Sequence, residues 1–158
     1  MGVSGDPRVT GPVMRSIAPM KLRWYTLVVD CTDIHAQARW WAQVLDGQIV
    51  YEDDEEVAMI PGGLPEGYDH EAGIPAEQWH RQAPGMVFVP VPEGKTVKNR
   101  LHIDLAAHVD DDRDAQIQRL LDLGATQVDV GQDPEHTTWT VFADPEGNEF
   151  CLLSSRKS

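Results

Sequence analysis

The first strongly patterned stretch, Leu22 to Cys31, is rich in β-branched and aromatic residues and predicts a strand. From Asp33 to Asp46 the period lengthens: Ile34, Ala38, Trp41 and Leu45 share one helical face, and Gly47 supplies the stop. Thr32 or Asp33 offers a side-chain oxygen for an otherwise unpaired amide hydrogen in the first turn. Gln48 to Glu52 and Val57 to Ile60 predict a hairpin around an acidic turn, and Met86 to Val91 predicts a further strand. Between them, Pro61 to Gly85 keeps no period, and a loop of that length inside a domain points to a lid or binding loop.

The same order then returns. Lys98 to Ala106 predicts a strand, and Asp114 to Leu123 a helix with Ile117, Leu120 and Leu121 on its apolar face and Gly124 after it. Thr126 to Val130, Thr138 to Phe142 and Glu149 to Leu153 predict three more strands, the last introduced by the turn Asp144-Pro-Glu-Gly147. The helical stretches QARWWAQVLDG (37–47) and QIQRLLDLG (116–124) match best, so the chain reads βαβββ twice. The fold class expected is α+β, two tandem βαβββ modules over 22–91 and 98–154 within one domain, 21–158, that share a core. Residues 1–20, with Gly2, Gly5, Pro7, Gly11 and Pro12, have no continuous apolar run and are expected to be a flexible N-terminal extension.

Composition narrows the partners. The formal net charge of −13 disfavours nucleic acid and anionic membrane surfaces, though local donors in a pocket can still hold an anion. No stretch of about 18 apolar residues is present, so no transmembrane helix is expected. Cys31 and Cys151 sit in apolar strand runs, which predicts buried, reduced thiols and a cytoplasmic location.

The stretches KNRLHIDLA (98–106), LLDLGA (120–125) and ADPEGNEFCLL (143–153), with the order of elements over 22–154, resemble the vicinal-oxygen-chelate superfamily, in its glyoxalase-like branch with bleomycin-resistance and dioxygenase relatives. The resemblance implies two modules whose sheets curl into an open, incomplete barrel around a pocket. It does not choose a reaction, because members include lyases, isomerases, dioxygenases, thiol transferases and proteins that sequester antibiotics. Homodimers are frequent among such proteins, so a homodimer is a possible state.

Metal-using members take one ligand from the first and one from the last strand of each module, and the corresponding positions are Thr26, Val89, His102 and Cys151. Valine cannot ligate and threonine ligates poorly, so no metal is expected at the usual site; a divalent ion is possible only through a different set, His102 and Glu149 with Asp104 or Asp30. Strand alternation places Arg100, His102 and Asp104 on one face, Glu149 with Cys151 on another, and Trp24, Thr26 and Asp30 on a third. If all look inward, they surround one space.

His102 is a candidate acid/base or ligand, against a structural histidine bonded to Asp104 or Glu149. Glu149 is a candidate base with a raised pKa, against a partner for Arg100 or Lys98. Cys151 reads first as a small buried apolar residue, and Arg100 as a fork for an anion or for those carboxylates. Trp24 and Trp79 are stacking surfaces for a planar ligand, while Trp139 reads as core; His70, Glu71, Trp79, His80 and Arg81 would decorate the lid. The expected function is binding of a small molecule, for instance sequestration of an aromatic natural product. The alternative is a lyase or isomerase that uses His102 as acid/base, with or without a divalent ion.

Overall fold

The structure is a computed structural model that describes residues 22–69, 71–79, 81–133 and 137–157. The predicted N-terminal extension, 1–20, and both His70 and His80 lie outside the described residues. Strand β1 (Thr26–Cys31) leads into helix α1 (Ile34–Val44), then the hairpin β2 (Gln48–Glu52) and β3 (Val57–Ile60). A four-residue helix α2 (Ala76–Trp79) interrupts the long segment before β4 (Gly85–Pro90). The second half runs β5 (Asp104–Leu105), α3 (Arg113–Asp122), β6 (Thr126–Gln127), β7 (Thr140–Ala143) and β8 (Glu149–Leu152).

Each half forms its own four-stranded mixed sheet, in the orders β1-β4-β3-β2 and β5-β8-β7-β6. The two orders are the same when the halves are superposed in sequence, with the first strand of each half parallel to the last. The sheets do not close into a barrel. No helix among the described residues is long and apolar enough to cross a membrane.

One core joins the halves. Cys31, Val57, Met59, Met86 and Phe88 from the first sheet cluster with Phe142, Phe150 and Leu152 from the second. Between them α1 inserts Trp40 and Trp41, whose rings meet the Phe150 ring edge-on at centroid distances of 5.8 and 5.3 Å. The predicted stripe of α1 holds for Ile34, Ala38 and Trp41, but Trp40 is equally buried, because a second apolar surface lies on its side. Its indole N–H donates to the Leu123 carbonyl at the end of α3, 2.9 Å away.

Helices α1 and α3 each carry an aspartate N-cap. Asp33 accepts the Ala36 amide hydrogen at 2.9 Å, and Asp112 accepts those of Asp114 and Ala115. Glu146 adds a cap from the other module, accepting the amide hydrogens of Thr32 and Asp33 at 2.9 and 2.8 Å and the Thr32 hydroxyl at 2.7 Å.

The expected strand over 98–106 is a correction. Only Asp104 and Leu105 form a strand, paired with Cys151 and Leu152; Ile103 contributes its carbonyl to the Cys151 amide hydrogen at 2.9 Å, and 98–102 adds no strand pairing. Apolar burial starts only at Ile103: Leu101 is 83% exposed, so nothing rewards extending the strand there. Strand β6 is likewise shorter than its predicted span, ending at Gln127.

Candidate functional site

Parallel pairing fixes the centre of the site. Asp104 lies opposite Cys151 across β5 and β8, so their side chains share one face, and His102 is two residues upstream of Asp104. The His102 ring nitrogen Nδ1 sits 2.9 Å from Asp104 Oδ1. One donor atom from each of His102, Asp104 and Cys151 lies within 4.8 Å of the others.

These three line a hollow of about 520 Å³ on the second sheet. Val141, Leu153 and Trp139 form its apolar wall, while Lys98, Asn99, Glu149 and Gln132 add polar groups. Trp139, expected in the core, is instead 41% exposed, just ahead of β7.

Of the two readings of Glu149, raised-pKa base or structural partner, its surroundings match the second. Partial burial pushes its carboxyl up, but hydrogen bonds from Lys95 and the Asn99 amide outweigh that and hold it below the usual carboxylate range. Lys95 Nζ is 2.9 Å away, and the Asn99 amide donates at 3.1 Å. Neither expected partner, Arg100 or Lys98, takes that position. Sequence reasoning missed Lys95, since the stretch between the modules has no period that could aim it.

The thiols are as expected buried and unpaired. Burial chiefly, then the Glu146 and Asp144 charges, pushes Cys31 up to about 12. Cys151 is also raised, first by burial and next by the Asp104 charge. As free thiols both are unreactive.

An adjoining groove of about 690 Å³ runs between β1 and the segment 99–104, sharing Asn99, His102, Asp104 and Glu149 with the hollow. Trp24, Asp30 and Arg100 line this groove, together with Val28, Leu101 and Phe150. Trp24 is 67% exposed along its edge.

The expectation that Thr26, Val89, His102 and Cys151 meet in one space fails for the first two. Thr26 and Trp79 line a separate pocket against the first sheet. Val89 sits half-buried beside Asp30 in the β1–β4 register and lines none of these three cavities. The segment 61–85 also covers the first sheet, where Leu64, Tyr68, Ile74 and Trp79 face that separate pocket and not the His102 hollow. The described part of this segment thus lines a pocket beside Thr26 and not the His102 hollow.

Two four-stranded sheets of identical order, each led by a strand and a helix, are the architecture the resemblance implied. A profile of the family described as glyoxalase-like domain matches residues 26–153. The chain belongs to the glyoxalase-like domain family.

Solved structures agree on the fold. A glyoxalase/bleomycin resistance protein/dioxygenase family enzyme from Burkholderia phytofirmans is 14% identical at a TM-score of 0.59, covering 85% of this chain and 100% of its own. A mutant of the fosfomycin resistance protein FosX from Listeria monocytogenes, in complex with Mn(II) and a dihydroxypropylphosphonic acid, is 10% identical at a TM-score of 0.59, with coverages of 87% and 92%. FosX from Mesorhizobium loti is 18% identical at a TM-score of 0.55, with coverages of 86% and 92%. Comparison with curated proteins found no match.

The resemblance implied metal ligands at Thr26, Val89, His102 and Cys151. They do not fit: Val89 has no donor atom, and Thr26 faces a different cavity from His102 and Cys151. What does converge is a different trio, His102, Asp104 and Cys151.

Proposed function

We propose that this glyoxalase-like protein binds a small, planar organic molecule in the hollow around His102. The observation that carries the reading is the wall of Trp139, Val141 and Leu153 facing the polar groups of His102, Asp104 and Glu149 across one cavity. Its volume of about 520 Å³ lies in the range that takes drug-sized ligands. An aromatic ring would stack or pack on the half-exposed Trp139, and the polar edge would fix its orientation.

An aromatic natural product satisfies this chemistry, and sequestration requires no further group. The direct test is a screen of planar aromatic compounds by quenching of tryptophan fluorescence, repeated with Trp139→Phe. Saturable quenching that the substitution removes supports the reading. Quenching unchanged in Trp139→Phe places the ligand elsewhere.

A second reading is favoured by one contact, His102 Nδ1 to Asp104 Oδ1 at 2.9 Å. In this reading the carboxylate would orient the ring so that Nε2 accepts, the arrangement a general base needs for removing a proton next to a carbonyl. In this lyase- or isomerase-type reading, Asp104 steadies the imidazolium formed, and Lys98 on the same hollow balances charge that develops on the carbonyl oxygen. Exchange of a substrate C–H proton with solvent, lost in His102→Ala, is the measurement that separates catalysis from storage.

If a cation binds, the trio His102, Asp104 and Cys151 is the set to hold it, in place of His102 with Glu149. Glu149 is already engaged by Lys95. A thiol among three ligands favours a thiophilic ion such as Zn²⁺.

A further inference from the structure

The stretch that joins the two sheets is tied to one residue. Glu149, which opens β8, takes Lys95 Nζ at 2.9 Å and the Asn99 amide hydrogen at 3.1 Å, and its carbonyl accepts from the Asn99 side-chain amide at 3.4 Å. The Lys95 and Glu149 side chains are 19% and 17% exposed, so salt screens this pair less than one on the open surface. The backbone is therefore held on both sides of Lys98.

Lys98 is the group that this anchoring presents. It lines the His102 hollow, yet in a chain of 26 acidic and 13 basic residues it forms no ion pair among the described residues. The two carboxylates that line the hollow are engaged elsewhere, Glu149 by Lys95 and Asp104 by His102 Nδ1 at 2.9 Å. Gln132 accepts the Val130 amide hydrogen on its Oε1 at 3.0 Å, which leaves its Nε2 hydrogens for a ligand. The Lys98 charge also reaches inside: the Cys151 thiol, raised first by burial and next by Asp104, is drawn partly back by it.

We infer that the ligand of the hollow is an aromatic monocarboxylate whose acid group pairs with Lys98, and that Glu149 is the positioning residue that keeps this ammonium at the cavity. The inference rests on the reading of the hollow as a ligand site and gives that site its charge preference. The ring would pack on Trp139, Val141 and Leu153, while Lys98 makes a charge-assisted hydrogen bond to the carboxylate. A cationic ligand would meet the ammonium and find both carboxylates already engaged. A dianion would bring a second charge that no further unpaired lysine or arginine of the hollow offsets, so the single acid is the better match.

Calorimetry on the whole chain with benzoate, cinnamate and 2-naphthoate, each beside its primary amide, tests the inference. At least one acid should bind 1:1, about tenfold or more tighter than its amide. Lys98→Gln should bring that ratio to about one with the amide's affinity unchanged, and Lys98→Arg should restore most of it. Glu149→Gln should lower the ratio about threefold or more, again without moving the amide, a loss of charge preference that a merely structural role would not produce. Should Glu149→Gln fail to fold, Lys95→Gln cuts the same anchor and is read in its place. Amides that bind as tightly as the acids, with binding still weakened by Trp139→Phe, would leave the hollow as a ligand site and overturn this inference alone. A ratio unmoved by Lys98→Gln overturns the pairing, and one unmoved when the anchor is cut overturns the role of Glu149. No saturation with any acid or amide would sink the inference together with the reading it rests on.

Discussion

Trp41 donates its indole N–H to Asp144 Oδ2 at 3.1 Å, tying the helix of the first module to the turn that launches the last strand of the second. Asp144 is 4% exposed and also accepts the amide hydrogens of Glu146 and Asn148 and the Gln37 side chain. A buried carboxylate with this many donors and no cation is held by hydrogen bonds alone. The Asp-Pro-Glu-Gly turn is therefore a clasp between modules as well as a local bend.

Asp144→Ala leaves the Trp41 and Gln37 donors buried and unpaired. The expected cost is about 2–4 kcal/mol, since each lost bond to a charged acceptor is worth about 1.5–3 kcal/mol and some donors will recover water. Urea denaturation measures it. An unchanged midpoint would mean the modules are held by the aromatic cluster alone.

The second clasp depends on pH. Burial raises the Glu146 carboxyl, but the amide hydrogens of Thr32 and Asp33 and the Thr32 hydroxyl outweigh it, so its folded pKa lies below the unfolded value. A depressed carboxylate gives its full stabilisation above the unfolded pKa and loses it as pH falls through the folded one. Stability should thus decline from about pH 5 downward. Glu146→Gln should flatten that decline relative to the wild type while lowering stability near neutral pH. Parallel thermal melts between the two pH regimes check both signs, and equal slopes would remove Glu146 from the acid response.

The fold was legible because its elements carry local signals. The β2–β3 hairpin spans the residues that its flanks and acidic turn predict, and Asp33 caps α1 as its position required. What stayed hidden depends on distant surfaces. No period announces that Glu146 will reach Thr32 across 114 residues, or that Lys95 will engage Glu149. Residues 98–102 show the converse: a sequence with strand character forms no strand, and pairing with β8 begins only at the Ile103 carbonyl, where apolar burial also begins. For the site, i and i+2 alternation brought His102 to Asp104 and Glu149 to Cys151. It could not tell that Thr26 and Trp79 would share another cavity.

The His102–Asp104 pair separates the two readings of the hollow. Asp104→Asn preserves shape but offers no full charge to an imidazolium. Under the catalytic reading it lowers kcat about 10²-fold or more while KM changes little. Under the storage reading, ligand affinity shifts by less than tenfold and no turnover exists to lose. Steady-state kinetics on any substrate found, with the fluorescence titration beside it, reads both.

The trio of His102, Asp104 and Cys151 predicts an optical signature. Donor atoms within 4.8 Å of one another need to close only slightly to reach a cation at about 2.0–2.3 Å from each. Binding would displace the Cys151 proton despite its raised pKa, because a coordinated thiol ionises. Co²⁺ added to the metal-free protein should therefore give a thiolate charge-transfer band in the near ultraviolet. Cys151→Ser should abolish that band, and Cys31→Ser, altered in the core beside α1, should keep it. Mn²⁺, which prefers oxygen donors, should compete poorly. A cobalt spectrum without the thiolate band, or one that survives Cys151→Ser, would show that the thiol takes no part and that His102 and Asp104 are left to each other.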